Sequence, residues 1–107
     1  MSDNYVRALL IAYHALPDTP RRDSRHDRLL ASSLDARGIP LHTVKAAFIV
    51  ATARRTFRPL GSVPLGSIRS VAYFLPVVEE LCDRPPRAEQ LETLRARLAA
   101  AGVTLPV

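Results

Sequence analysis

The chain of 107 residues is 48% hydrophobic and 23% charged, with a formal net charge of +5. This length suits one domain around one core, and the hydrophobic fraction is too high for a disordered chain. The single cysteine excludes an internal disulfide and favours a reducing compartment. No apolar stretch reaches the roughly 20 residues that a membrane span requires, and no secretory signal is recognisable. We therefore expect one cytoplasmic domain over residues 1–107, without membrane contact.

Amphipathic helical patterns follow one another from the N-terminus, with no hairpin signal between them. The first helix is predicted over residues 3–16, where apolar residues recur at spacings of three and four before Pro17. The second is predicted over residues 24–37, with Gly38 as its left-handed cap. Both stretches are therefore interpreted as helices that pack one face on a shared core.

The start of the second helix has two possible caps. Thr19 could be the cap, with Pro20 at the first helical position. Alternatively, Ser24 is the cap and Asp27, three residues further on, closes a capping box. We prefer Ser24, which places the helix start among arginines.

The middle of the chain contains a third helix, a loop and a fourth helical segment. The third helix is predicted over residues 40–57, and its apolar residues spread almost all round, as in the buried centre of a bundle. Glycines and prolines make residues 58–66 a loop. The fourth segment is predicted over residues 67–83 with Ser67 as its cap. Pro76 lies inside it and predicts a kink or break near Phe74.

The last predicted helix follows Pro85 and Pro86 and ends before Gly102. Its narrow apolar stripe could pack on the bundle or against a second copy of the chain. We favour packing within the chain, and so expect a monomer rather than a dimer. The stripe consists of Leu91, Leu94, Leu98 and Ala101. The sequence therefore predicts an all-α protein, a compact bundle of about five helices with a kink or break near Pro76.

Catalytic and metal-binding signatures are missing from the sequence. It has no HExxH, no dinucleotide-binding glycine motif, no P-loop and no Gly-x-Ser-x-Gly elbow. The three histidines, His14, His26 and His42, fall on three different predicted helices and share no ligand spacing. We therefore expect a protein that is not an enzyme and that needs no metal or other cofactor.

Positive charge is concentrated in one part of the chain. Residues 1–70 hold eleven basic and five acidic groups, whereas residues 71–107 hold four basic and five acidic groups. Fourteen of the fifteen basic residues are arginine. A high arginine content alone can reflect a GC-rich genome, but that explanation leaves the asymmetry unexplained. The electric field of basic residues concentrated in one part of a chain attracts anions, and nucleic acid is the commonest large anion in a cytoplasm.

Four of these arginines surround the predicted start of the second helix. A helix N-terminus repels cations, yet none of the four has a carboxylate three or four residues downstream within this stretch. One interpretation is a solvated face, or ion pairs with Glu79, Glu80 or Glu89 from other helices. The other is a phosphate site, in which helix N–H groups and guanidinium groups act on one anion. The four residues are Arg21, Arg22, Arg25 and Arg28.

A second basic group lies at the end of the third helix, where cations are favourable by themselves. Arg54, Arg55 and Arg58 form it, and Arg69 follows after the loop. These four arginines are further candidates for nucleic-acid contact.

The segment 38–81 resembles the DnaD-type helical domain of bacterial primosome and phage or plasmid replication proteins. The stretch "GIPLHTVKAAFIVATARR" has the shape of the first part of that domain. In "YFLPVVEEL", Tyr73, Val77 and Leu81 occupy the intervals of the family motif Tyr-x-x-x-Ile-x-x-x-Trp. Leucine at the tryptophan position and Pro76 inside the motif are departures from it. The resemblance implies assembly with DNA and protein at replication origins, without catalysis, and adds Tyr73 to the candidate nucleic-acid contacts.

These observations lead to one preferred function and one alternative. The preferred function is a small non-enzymatic nucleic-acid-binding domain, with DNA favoured over RNA, in the setting of an accessory protein of replication or of a mobile element. The alternative is a protein–protein adaptor or oligomerisation module that would use the stripe of the last helix or apolar parts of "SVAYFLPVV".

Overall fold

The computed structural model describes residues 3–105. Within that range the chain forms five α-helices and a short 3₁₀ helix, with no strand, in agreement with the predicted all-α bundle. No helix in the described range is long and apolar enough to cross a membrane. The helices are α1 (Asp3–His14), α2 (Arg25–Ala36), α3 (Leu41–Thr56), α4 (Leu75–Asp83) and α5 (Ala88–Ala100), and the 3₁₀ helix Val71–Phe74 directly precedes α4.

Helix α1 ends at His14, two residues before its predicted end. The Thr19 hydroxyl donates to the carbonyl oxygens of Leu16, at 2.8 Å, and Tyr13, at 3.1 Å, and so caps the carbonyl end of the helix. Asp18 has a φ of 64°, a left-handed conformation that aspartate tolerates better than most residues. The chain therefore turns sharply after α1, before the arginine-rich segment begins.

Helix α2 begins at Arg25 with Ser24 as its cap, which is the preferred of the two predicted starts. Thr19 is not its cap. The Ser24 hydroxyl accepts a hydrogen bond from the Asp27 main-chain N–H at 3.0 Å. The predicted capping box is only half formed, because the Asp27 carboxylate accepts from the Val71 main-chain N–H at 2.9 Å. The start of α2 is thereby joined to the 3₁₀ helix. Gly38 follows α2 in the predicted left-handed conformation, with a φ of 74°.

Helix α3 is the buried centre of the bundle, as its all-round apolar pattern predicts. Every residue of the stretch 46–53 is buried, and α1, α4 and α5 all pack against α3. The Phe48 ring lies edge-on to Phe74, with ring centroids 4.9 Å apart, and the Tyr13 ring lies edge-on to Phe74 at 6.0 Å. These three aromatic rings form the middle of the core.

The predicted interruption near Pro76 is present as a break between two kinds of helix. The 3₁₀ helix is capped by Ser70, whose hydroxyl accepts from the Ala72 N–H at 2.9 Å, so the prediction of Ser67 as the cap is wrong. Pro76 lies in the first turn of α4, where its missing N–H removes no helical hydrogen bond. The helix therefore restarts at the proline instead of bending around it.

Helix α5 packs its leucine stripe on α3. Leu98 is fully buried, and Leu91 and Leu94 are partly buried against the core. Ala101 lies beyond the end of the helix and is exposed, so its predicted place in the stripe is wrong. The packing follows the preferred interpretation of the stripe, while the oligomeric state stays a prediction.

Candidate nucleic-acid interface

The connection between α1 and α2 is fixed to α1 by a histidine. His14 Nε2 lies 2.6 Å from Asp23 Oδ1, and His14 Nδ1 lies 2.6 Å from the Pro20 carbonyl oxygen. The two ring nitrogens thereby hold both ends of the segment 20–23 against the end of α1. Arg21 and Arg22 lie between these two contact points and are presented on a tethered segment.

Four arginines of this region face solvent without a partner. Arg21, Arg22, Arg25 and Arg28 are all exposed. Among residues 3–105 none of them forms a hydrogen bond or an ion pair. Because α2 begins at Arg25, Arg21 and Arg22 belong to the connection that precedes the helix. Arg25 and Arg28 remain on the exposed side of α2, since Asp27 takes the buried side.

Arg69 belongs to the same region of the surface. The chain on either side of it is bonded to the arginine-rich segment, because Ile68 N–H donates to the Asp18 carbonyl oxygen at 2.8 Å and Val71 N–H donates to Asp27. Arg69 is exposed and, within the described range, unpaired. We refer to Arg21, Arg22, Arg25, Arg28 and Arg69 as the arginine surface.

The arginines at the end of α3 are arranged differently, because each has a partner within the chain. Arg54 holds Glu80 with two hydrogen bonds, of 2.8 and 2.6 Å, and this contact lowers the pKa of Glu80. Arg55 is 10% exposed in its side chain, pairs with Asp18 at 3.3 Å and donates to the Gly66 carbonyl oxygen. Arg58 donates to the Val63 carbonyl oxygen at 2.5 Å. This cluster therefore fixes the loop after α3 and the turn after α1.

Tyr73 lies beside that cluster. Its ring is 42% exposed, and the Arg55 guanidinium carbon lies 5.6 Å from the ring centroid. The three positions of the resembled family motif differ in exposure, because Tyr73 is exposed, Val77 is half-buried and Leu81 is buried. Tyr73 belongs to the 3₁₀ helix, whereas the other two belong to α4. The break at Pro76 therefore separates the first motif position from the others.

The alternative in which the arginines of residues 21–28 form ion pairs with Glu79, Glu80 or Glu89 is not supported. Glu79 pairs with Arg37 at 2.7 Å, and Glu80 pairs with Arg54. In the part of the chain that the structure describes, no pair joins Glu89 to an arginine. The positive charge of the arginine surface is thus not compensated by these carboxylates.

Sequence reasoning missed Arg7, which is exposed on α1. Arg7, Arg28, His14 and Asp23 line one hollow of about 260 Å³ between α1 and α2. The sequence carries no signal for this placement, because it depends on the packing of the two helices. The packing of α1 on α2 therefore places Arg7 near Arg28, in a hollow that also contains the Asp3 and Asp23 carboxylates.

No group of three or more histidine, cysteine, aspartate or glutamate side chains within residues 3–105 is arranged to hold a metal ion.

The chain has no match among protein-family models, curated proteins or solved structures. The candidate interface is therefore described from the geometry and charge of its own residues.

Proposed function

We propose that the protein is a small non-enzymatic domain that binds nucleic acid, DNA in preference to RNA, through the arginine surface. The observation that carries the proposal is the contrast between two sets of arginines. Arg37, Arg54 and Arg55 each hold a carboxylate. The five members of the arginine surface hold none among the described residues.

A phosphate backbone matches this arrangement. Each guanidinium group presents several N–H donors in a plane and binds phosphate oxygens with two parallel hydrogen bonds. Unpaired cations close to one another repel, and they gain most from a partner that carries many negative charges. The N-terminus of α2, which adds partial positive charge to the same region, favours such an anion as well.

The cluster at the end of α3 contributes a secondary contact to this proposal. Arg54, Arg55, Arg58 and Tyr73 line one shallow hollow of about 290 Å³. Because the three arginines already have partners in the chain, their residual donors are fewer. We assign them a supporting role beside the exposed Tyr73 ring, on which an unpaired base can stack.

The biological setting that we propose is an accessory role in replication or in a mobile element, on the strength of the resemblance of residues 38–81 to the DnaD-type domain. The adaptor alternative has less exposed surface to use. The segments named for it contribute Leu98, Phe74 and Val78 to the core. A protein partner would therefore have to bind elsewhere.

The test is a salt titration of binding to single-stranded DNA, duplex DNA and RNA, followed by fluorescence anisotropy. The logarithm of the affinity for duplex should fall linearly with the logarithm of the salt concentration. The slope should be about −4 to −5 if all five arginines contact phosphates. A lack of measurable binding to all three at about 50 mM salt would refute the proposal.

A further inference from the structure

The loop between α3 and the 3₁₀ helix exposes aliphatic side chains that the fold does not use. Residues 59–68 contain no charged residue. Leu60 is fully exposed, and Val63 and Leu65 are 77% and 46% exposed. Single exposed aliphatic residues are ordinary on protein surfaces, but a group of them on one loop indicates contact with a partner.

The tip of this loop has a defined shape. The Ser62 N–H and hydroxyl both donate to the Pro59 carbonyl oxygen, at 3.2 and 2.6 Å, and close a four-residue turn. Gly61 occupies the third position with a φ of 83°, which glycine adopts without strain. Leu60, at the second position, is therefore presented at the tip of a tight turn.

Two arginines fix the base of the loop. Arg58 donates to the Val63 carbonyl oxygen and Arg55 donates to the Gly66 carbonyl oxygen. Since both bonds are to main-chain atoms, they hold the backbone and leave the Leu60 and Val63 side chains exposed, while Leu65 lines the hollow beside Tyr73. The exposed tip is thus already ordered in the free protein, and little ordering is needed on binding.

The charged residues around the loop indicate the kind of partner that the tip contacts. The loop is followed by Arg69, a member of the arginine surface, and Ile68 is bonded to the turn that leads into Arg21 and Arg22. A partner that covers both the loop and these arginines therefore offers negative charge together with apolar surface. Duplex DNA has this combination, with phosphates on its surface and stacked bases within, and minor-groove proteins insert leucine or proline side chains between its base steps.

We propose that Leu60 enters a base step of duplex DNA and kinks it, while the arginine surface holds the neighbouring phosphates. The inference rests on the proposed nucleic-acid function and adds to it the duplex form of the ligand and a bend. Kinks of this kind are roughly 20–90°. They form most readily at pyrimidine–purine steps.

The bend is measured by energy transfer between fluorophores at the two ends of a short duplex with a central TA step. Wild-type protein should raise the transfer efficiency on binding. Leu60→Ala should bind and leave the duplex straight, because the Leu60 side chain is fully exposed and its removal leaves the fold intact. Thr93→Ala, which shortens an exposed side chain on α5, outside the arginine surface, is the control and should bend the duplex as wild type does.

The outcomes separate this inference from the proposed function. A duplex that is bound but not bent by wild type, or bent equally by Leu60→Ala, would overturn the inference and leave nucleic-acid binding in place. Binding to single strands but not to duplex would also overturn the inference and leave nucleic-acid binding in place. A lack of binding to any nucleic acid would overturn both.

A second measurement identifies the occupant directly. The chain has no tryptophan, so Leu60→Trp places a single reporter at the tip of the loop. Stacking between bases should quench most of its emission when the duplex is added, and Ala100→Trp, at an exposed position of α5, should keep its emission. If Leu60→Trp is unchanged by duplex and shifts to the blue with phosphatidylserine–phosphatidylcholine vesicles, the partner is a membrane surface and the inference is wrong.

Discussion

Asp27 and Val71, 44 residues apart in the chain, are joined by a hydrogen bond of 2.9 Å from the Val71 main-chain N–H to the Asp27 carboxylate. Asp27 is 1% exposed, and its own main-chain N–H donates to the Ser24 hydroxyl. One buried residue therefore connects the cap of α2 with the 3₁₀ helix. The arginine surface depends on it, because Arg25 and Arg69 lie on the two segments that it joins.

Replacing Asp27 should therefore destabilise the fold. A hydrogen bond to a charged group contributes about 1.5–3 kcal/mol, and Asp27→Ala should lower the free energy of unfolding by about that amount. Asp27→Asn keeps a carbonyl oxygen as the acceptor and should cost less. Denaturant titration measures both values. A loss below about 0.5 kcal/mol for Asp27→Ala, the scale of an ordinary surface substitution, would contradict this role.

A second prediction concerns Tyr13, whose hydroxyl is buried and has no hydrogen-bond partner within residues 3–105. A buried polar group without a partner costs about 1–3 kcal/mol. Tyr13→Phe removes this group and keeps the ring against Phe48 and Phe74, so it should raise the free energy of unfolding by about 1 kcal/mol. Thermal or denaturant unfolding at neutral pH tests this. A clear loss of stability would show that the hydroxyl makes a favourable contact.

The same residue predicts how stability changes at high pH. Burial, with a smaller effect from the charge of Asp27, raises the pKa of Tyr13 to about 12 from its usual value of 10. In the unfolded chain the hydroxyl ionises near pH 10, whereas in the fold it stays neutral until about pH 12. Tyr13 therefore lowers the free energy of unfolding progressively over this window. Tyr13→Phe should lose less stability there than wild type, and identical pH profiles would contradict the assignment.

Local sequence signals predicted the elements of this fold well. Ser24 as a cap, Gly38 after α2 and Pro76 at an interruption each act through their own backbone conformation or through neighbours a few residues away. The burial of α3 was predictable, because its own apolar residues lie on almost all faces of the helix. The prediction of Ser67 as a cap was wrong, because the loop that precedes the 3₁₀ helix is fixed by Arg55 and Asp18 from distant parts of the chain.

The candidate site could be predicted only in part, for a related reason. The sequence shows that residues 21–28 lack local carboxylate partners, but not that Glu79 and Glu80 are taken by Arg37 and Arg54. It likewise ranks Arg55 with the other arginines, although tertiary contacts bury its side chain. Pairings across 20 or more residues depend on how the helices pack, and periodicity carries no information about them.

The stripe of α5 gives a prediction about oligomeric state. Leu94 packs against the core beside the fully buried Leu98. Because a charge forced into this position lacks a partner, Leu94→Asp should destabilise the fold by several kcal/mol. Sedimentation should find wild type monomeric. A wild-type dimer that Leu94→Asp converts into a stable monomer would instead show that the stripe is an interface between copies.

The arginine surface gives the sharpest test, because the chain offers a matched control with the same change in charge. Arg25→Gln/Arg28→Gln removes two unpaired cations from α2. Arg37→Gln/Arg95→Gln also removes two positive charges, but Arg37 already holds Glu79 and Arg95 already holds Glu92. Each phosphate contact changes the salt slope by about 0.9 for duplex DNA. The first variant should therefore flatten the slope by about one to two units, and the control should leave it nearly unchanged.

The two variants should also bind without regard to sequence, since contacts to phosphate position a protein on DNA without reading bases. Arg25→Gln/Arg28→Gln should weaken all duplexes alike and change stability little, because both side chains are exposed and outside the buried face of α2. Surface ion pairs contribute only about 0–1 kcal/mol, so the control should also remain folded. Equal flattening by both variants would show that affinity follows net charge alone, and the assignment of phosphate contact to Arg25 and Arg28 would then be wrong.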